Sequence, residues 1–155
     1  MKQNKTYITS TPEETQKIAE DLARELINKN ITKTAVIIGL KGDLGSGKTT
    51  FLQGFGKGLG VKEKILSPTF LIMKKFHVSG FKFHYFYHID CYRINNPKEL
   101  LDLGFEKILK NPQNIVAIEW SDKIKKIIKD IRAEAIFINF KFISKNKRKI
   151  SFSKS

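Results

Sequence analysis

One cysteine, Cys91, is all the thiol that this 155-residue sequence carries. That excludes an internal disulfide framework and fits a reducing compartment. No apolar run is long enough to span a bilayer. The opening "MKQNKTYITS" is polar and has no signal-peptide pattern. A soluble, cytoplasmic protein is the expectation. Arginine is sparse: Arg24, Arg93 and Arg132 stand apart, and Arg148 lies in a basic stretch near the end. Acid also runs out, since no Asp or Glu follows Glu134.

What is present is lysine. The formal net charge is +14, a field that attracts polyanions such as nucleotides, nucleic acid or acidic protein faces. Lysines are spread along the whole chain, so a solvated basic surface explains much of this. Lys141, Lys145, Lys147, Arg148 and Lys149 nevertheless crowd together. They read either as a local basic patch or as a solvated hairpin.

The length favours one domain over residues 1–155. Thr11, Pro12 and Glu14 open a helix with a capping box, and Ile18, Leu22, Leu26 and Ile27 recur on one helical face. "TAVIIGL" (34–40) and "IVAIEW" (115–120) are apolar throughout and read as strands covered on both faces. Phe51, Leu52, Phe55 and Leu59 keep helical spacing up to Gly60. Gly54, Gly56 and Gly58 each weaken that helix by about 1 kcal/mol relative to alanine, so packing must offset them. A hairpin with a turn at Ser79 and Gly80 is expected to carry a strand from Phe81 to Asp90. A helix from Asn96 to Gly104, a turn at 105–109, a short helix at 121–128 and a late hairpin turning through "KNKRK" complete the order. The fold class is therefore α/β, a three-layer sandwich with a mixed, mainly parallel sheet and antiparallel hairpins, and the loop between the first apolar strand and its helix makes it P-loop NTPase-like.

Between the first apolar strand and its helix stands "KGDLGSGKTT". Gly42, Gly47, Lys48 and Thr49 satisfy G-x-x-x-x-G-K-[ST]. Glycines let backbone N–H groups converge on phosphate oxygens, and the helix N-terminus adds its positive dipole end. Lys48 supplies a mobile charge for the β- and γ-phosphates, and Thr49 a hydroxyl for Mg²⁺. The nucleotide-binding residues are then Gly42, Asp43, Leu44, Gly45, Ser46, Gly47, Lys48, Thr49 and Thr50. A metal carboxylate is expected at the end of a buried strand, which points to Glu119; otherwise Glu119 is an exposed acid at a strand end. Asp90 closes the aromatic strand and would position water or join the metal shell; otherwise it is an exposed acid on an edge strand. Thr69 of "SPTF" (67–70) either approaches the γ-phosphate or enters a strand. Trp120 either walls the pocket or packs in the core. His84 and His88 lie about 13 Å apart along a strand, too far for one zinc.

"GDLGSGKTT", "SPTF", "HIDCYRI" with the following "ELLDLGFE", and "IEW" together resemble the TsaE (YjeE) family, over roughly residues 6 to 122. The family members are bacterial ATPases of tRNA threonylcarbamoyladenosine biosynthesis. The resemblance implies ATP and Mg²⁺ as cofactors, Thr49 and Glu119 serving the metal, and Asp90 needed for hydrolysis. It implies further nucleotide contacts near Glu13, Thr15 and Asp122. It implies partners of the TsaD and TsaB type, which carry the threonylcarbamoyl group to adenosine 37 of tRNAs reading ANN codons; tRNA would be engaged indirectly, with direct contact left open. "KNKRK" stands where the family has a late glycine-arginine turn, so that nucleotide contact has no assigned residue. No arginine finger is evident, although Arg93 is a candidate, and slow hydrolysis without partners is expected. The other readings are a small-molecule kinase, disfavoured by the lack of an arginine-rich lid, and a nucleotide-gated RNA-binding module, disfavoured by the lack of an RNA-recognition aromatic motif.

Overall fold

The computed structural model describes residues 4–30, 32–67 and 72–154. Its elements are β1 (Thr6–Thr9), α1 (Pro12–Asn28), β2 (Val36–Lys41), α2 (Lys48–Leu59), β3 (Met73–His77) and β4 (Tyr85–Asp90). There follow α3 (Lys98–Leu101), α4 (Phe105–Leu109), β5 (Asn114–Glu119), a 3₁₀ turn (Ser121–Ile124), α5 (Lys125–Ile131), β6 (Glu134–Phe142) and β7 (Arg148–Lys154). One seven-stranded sheet runs in the order β1-β7-β6-β2-β5-β4-β3. Its centre, β6-β2-β5-β4, is parallel, and antiparallel strands flank it on both sides.

Apolar side chains leave both faces of the central strands, as an all-apolar sequence requires. Val36, Ile38, Leu40, Ile115 and Ala117 face α1 and α2, where they meet Leu22, Leu26, Phe51 and Phe55. Ile37, Val116 and Ile118 face the other way, onto Leu100, Phe105, Leu109 and Ile128. The result is three layers, as expected.

The first helix starts as its sequence predicts. Thr11 accepts a hydrogen bond from the Glu14 backbone N–H at 3.2 Å, and the Glu14 carboxylate accepts from Ser10 N–H at 2.6 Å. Two elements depart from expectation. The "polar" start contains β1, which pairs with β7 as the outer strand of the sheet. The strand expected from Phe81 begins only at Tyr85. Before it, the Lys82 ammonium donates to the carbonyls of Leu26 and Lys29 at the end of α1.

The three glycines of α2 have a packing reason. A Cβ on Gly54 would lie 2.3 Å from the Gln16 carbonyl oxygen and 2.5 Å from its Cα. One on Gly58 would lie 2.7 Å from the Ala23 Cβ. Bare glycine lets α1 and α2 approach backbone to backbone. Gly54→Ala should therefore lower stability despite its better helix propensity. Overpacking against rigid backbone costs about 1–3 kcal/mol, more than the roughly 1 kcal/mol of propensity regained. Thermal unfolding should show a lowered Tm, by roughly 2–4 °C for each kcal/mol of net loss in a chain of this length. Gly56→Ala meets only the far end of the Ile65 side chain and should cost less.

Candidate nucleotide and metal site

Strand β2 ends at Lys41, and the chain then curls through residues 42–47 before α2 begins. Gly45 (φ 77°) and Gly47 (φ 104°) hold the left-handed conformation that this curl requires. A side chain at either position would strain the backbone. The curl opens on a hollow of about 520 Å³, a size suited to a small-molecule ligand. Asp43, Leu44, Gly45, Ser46, Gly47, Lys48, Thr49 and Thr50 form one wall. Gly42 stands behind it, and its carbonyl accepts the Lys48 ammonium. The Lys48 nitrogen also lies 5.5 Å from the centre of the Trp120 ring.

Asp90 and Glu119 line the same hollow, and Glu119 stands beside Leu40 at the end of β2. They sit at the carboxyl ends of β4 and β5, directly opposite each other in the parallel register. Ligands in open α/β sheets bind beside such strand ends. Glu119 is buried at 4% exposure, and one of its oxygens lies 2.8 Å from His88 Nε2. His88 is itself fully buried two residues before Asp90 on the same strand. The histidine therefore fixes one Glu119 oxygen. Asp90 accepts the Tyr92 backbone N–H at 2.9 Å. Burial pushes the Asp90 carboxyl above the usual aspartate range, and the Glu119 charge pushes the same way. The edge-strand alternative for Asp90 does not hold: β4 is paired on both sides.

Just after Glu119 the chain turns sharply. Trp120 takes the left-handed conformation, φ 58° and ψ 43°, which is costly for a non-glycine residue. That turn puts its ring in the wall of the hollow, 5.3 Å from Tyr92. The hollow is also lined by the entry to α1 and by the β6–β7 turn. Thr9, Ser10, Thr11 and Pro12 lead into α1, and Thr9 shares a buried 2.8 Å hydrogen bond with Thr15. Lys145, Asn146 and Arg148 arrive from the β6–β7 turn. Arg148 donates from Nε to the Gly45 carbonyl at 3.2 Å, which ties the turn to the curl. The clustered basic residues were visible in the sequence, but their approach to residue 45 was not.

Thr15 lines the hollow; Glu13, Asp122 and Arg93 do not. Those three side chains are exposed. Ser67 lines the hollow, while Pro68, Thr69 and Phe70 lie outside the described residues.

The donor set fits a nucleotide and a hard cation. A cradle with two left-handed glycines, one ammonium, one threonine hydroxyl and two carboxylates suits phosphate with Mg²⁺. The Ser46 hydroxyl, buried in the curl without a hydrogen-bond partner, offers one more polar group to a ligand.

Comparison with known proteins shows the family. The family model described as "Threonylcarbamoyl adenosine biosynthesis protein TsaE" matches residues 9–150. The chain belongs to the TsaE family. A TsaE protein of Rickettsia felis is 37% identical over 142 residues, covering 91% of this chain and 75% of that one. The Bacillus subtilis TsaE protein is 34% identical over 153 residues, covering 99% and 87%. The crystal structure of YdiB from Bacillus subtilis superposes with a TM-score of 0.68 at 31% identity, covering 98% of this chain and 86% of that one. The relatives' name is "tRNA threonylcarbamoyladenosine biosynthesis protein TsaE". The TsaE match extends over the late hairpin as far as residue 150, well past residue 122. Among the described residues, no helix is long and apolar enough to cross a membrane.

The raised pKa of Asp90 has a measurable consequence in this TsaE-family chain. A carboxyl whose pKa is higher folded than unfolded favours folding most below the unfolded value. It loses that contribution as pH rises through the folded value. In the ligand-free protein at neutral pH, ionised Asp90 is therefore a cost. Asp90→Asn, whose side-chain oxygen can still accept from Tyr92, should unfold at higher temperature than the parent at pH 7. The difference should vanish below the ordinary aspartate range. Thermal unfolding from pH 3 to 8 checks the sign.

Proposed function

We propose that this chain binds ATP with Mg²⁺ and hydrolyses it in support of threonylcarbamoyladenosine formation at position 37 of tRNAs reading ANN codons. The observation that carries the reading is convergence. Lys48 and Thr49 from the curl meet Asp90 and Glu119, from two adjacent strand ends, in one hollow.

The residues divide the work by their chemistry. The backbone N–H groups of residues 45–49 and the Lys48 ammonium hold the phosphates. Thr49 and Glu119 would hold the metal. When bound, Mg²⁺ neutralises charge on the phosphates during transfer to water. Asp90, half-buried and held by Tyr92 N–H, accepts a hydrogen bond from the attacking water. Its raised pKa keeps it a stronger base than an ordinary aspartate. Trp120 and Thr11 shield the hollow on either flank. Most of the acceleration would come from this fixed placement.

Among the described residues Arg148 is the one arginine lining the hollow, and it is engaged with the carbonyls of Gly45 and Ser144. Hydrolysis by the isolated chain should accordingly be slow. Phosphate release should rise when subunits of the TsaD and TsaB type and tRNA are added. Fast turnover by the chain alone would argue against the partner's role. Failure to bind ATP would end the proposal.

A further inference from the structure

Strands β6, β7 and β1 form a wing with one covered side and one bare side. Ile138, Phe140, Ile150 and Phe152 point toward α1 and α2 and are buried. On the opposite side α3, α4 and α5 cover the central strands, and their apolar cluster includes nothing from β7 or β1. Two rows of side chains cross this bare side. Asn139, Ser151 and Thr6 stand in one row, and Lys141, Lys149 and Ile8 in the next. All are exposed except Ser151, which is half-buried.

Lys141 lies directly opposite Lys149. Like charges facing across a strand pair destabilise the sheet. Among the described residues neither lysine has an ion pair, and neither row contains an acid. Lys145 and Lys147 in the adjoining turn carry the same sign. The fold thus concentrates positive charge on this side of the sheet, with no counter-charge in either row.

We propose that this bare side of β6, β7 and β1 binds RNA through its phosphate backbone. The lysine row pairs with phosphates, and the Asn-Ser-Thr row donates to phosphate oxygens and ribose hydroxyls. Charge complementarity carries the choice of occupant. A protein partner would instead favour a central apolar or aromatic anchor, and only Ile8 is apolar in these rows. The choice of RNA over other polyanions rests on the proposed role in tRNA modification. This face is separate from the nucleotide hollow: neither Lys141 nor Lys149 lines it.

The test uses the full chain and a fluorescently labelled, unmodified tRNA transcript, with anisotropy read between 50 and 200 mM KCl. Lys141→Ala combined with Lys149→Ala should weaken binding at least tenfold at 50 mM. It should also reduce the slope of log affinity against log salt by about 2, one per lost phosphate contact. The paired change to arginine should keep both affinity and slope. Tm of the alanine variant should not fall, because the change removes a repulsion. An ATP titration followed by Trp120 fluorescence should be unchanged by either variant. Unchanged RNA affinity and slope in the alanine variant would overturn the proposal. So would a parent chain that ignores tRNA at 50 mM, or one that prefers polyglutamate or phosphatidylserine vesicles. A parent that binds tRNA as expected but not ATP would remove the proposed hydrolysis and leave this surface standing.

Discussion

Lys48→Ala should weaken ATP binding by about a hundredfold, close to 2.7 kcal/mol. The ammonium is the one side-chain cation that rises from the curl itself, and charge-assisted hydrogen bonds to phosphate are among the strongest available. The measurement is built into the protein. Trp120 is the sole tryptophan, and it lines the hollow within 5.5 Å of the Lys48 nitrogen. Nucleotide binding should therefore change its emission, and the variant's titration should shift to about a hundredfold higher ATP. Stability should change little. Lys48 is only half-buried, and among the described residues its ammonium donates to the Gly42 carbonyl alone. Lys48→Arg should not rescue fully, because a planar fork cannot replace a compact charge inside a tight curl. A variant that binds ATP like the parent would remove Lys48 from the site.

Glu119→Gln should separate binding from chemistry. Hydrolysis at saturating ATP and Mg²⁺ should fall by a factor on the order of 10²–10³, the usual cost of removing one electrostatic group from a reacting centre. ATP affinity without metal should stay within a few-fold of the parent. Glutamine is nearly isosteric, and its side-chain oxygen can still accept from His88 Nε2, so the buried pair survives. The charge that would hold Mg²⁺ is what disappears. Accordingly, the gain in ATP affinity on adding Mg²⁺ should shrink in the variant. Glu119→Ala should do the same and also destabilise the fold, since it leaves buried His88 without its partner. Turnover by Glu119→Gln equal to the parent's would assign the metal to other residues.

Much of this site is local, and local chemistry is legible in a chain. The curl from Gly42 to Thr50 is contiguous, so its spacing alone announces a phosphate cradle. Glu119 and Asp90 each end a strand, and strand ends can be read from apolar runs. Capping at Thr11 and the stop at Gly60 are equally short-range. Other features are not local. Thr9 and Arg148 are 139 positions apart in the chain and directly opposite in the sheet. β1 has only four residues and no apolar pattern of its own, so only its pairing with β7 makes it a strand. Phe81 shares the alternation of its neighbours but lies outside β4, while Lys82 beside it reaches the distant end of α1.

The sequence by itself determined the phosphate curl, the two acids that could serve it, the layered α/β class and the excess of lysine. These follow from residue type and spacing within a dozen positions. Only the tertiary structure decided that β4 lies beside β5, which brings Asp90 opposite Glu119, and that His88 holds that glutamate. It alone decided that glycines in α2 serve helix contact, and that Lys141 faces Lys149 on an uncovered sheet. The reason is that strand order and register are set by which faces can be buried together. That is a property of the whole chain, and no single segment contains it.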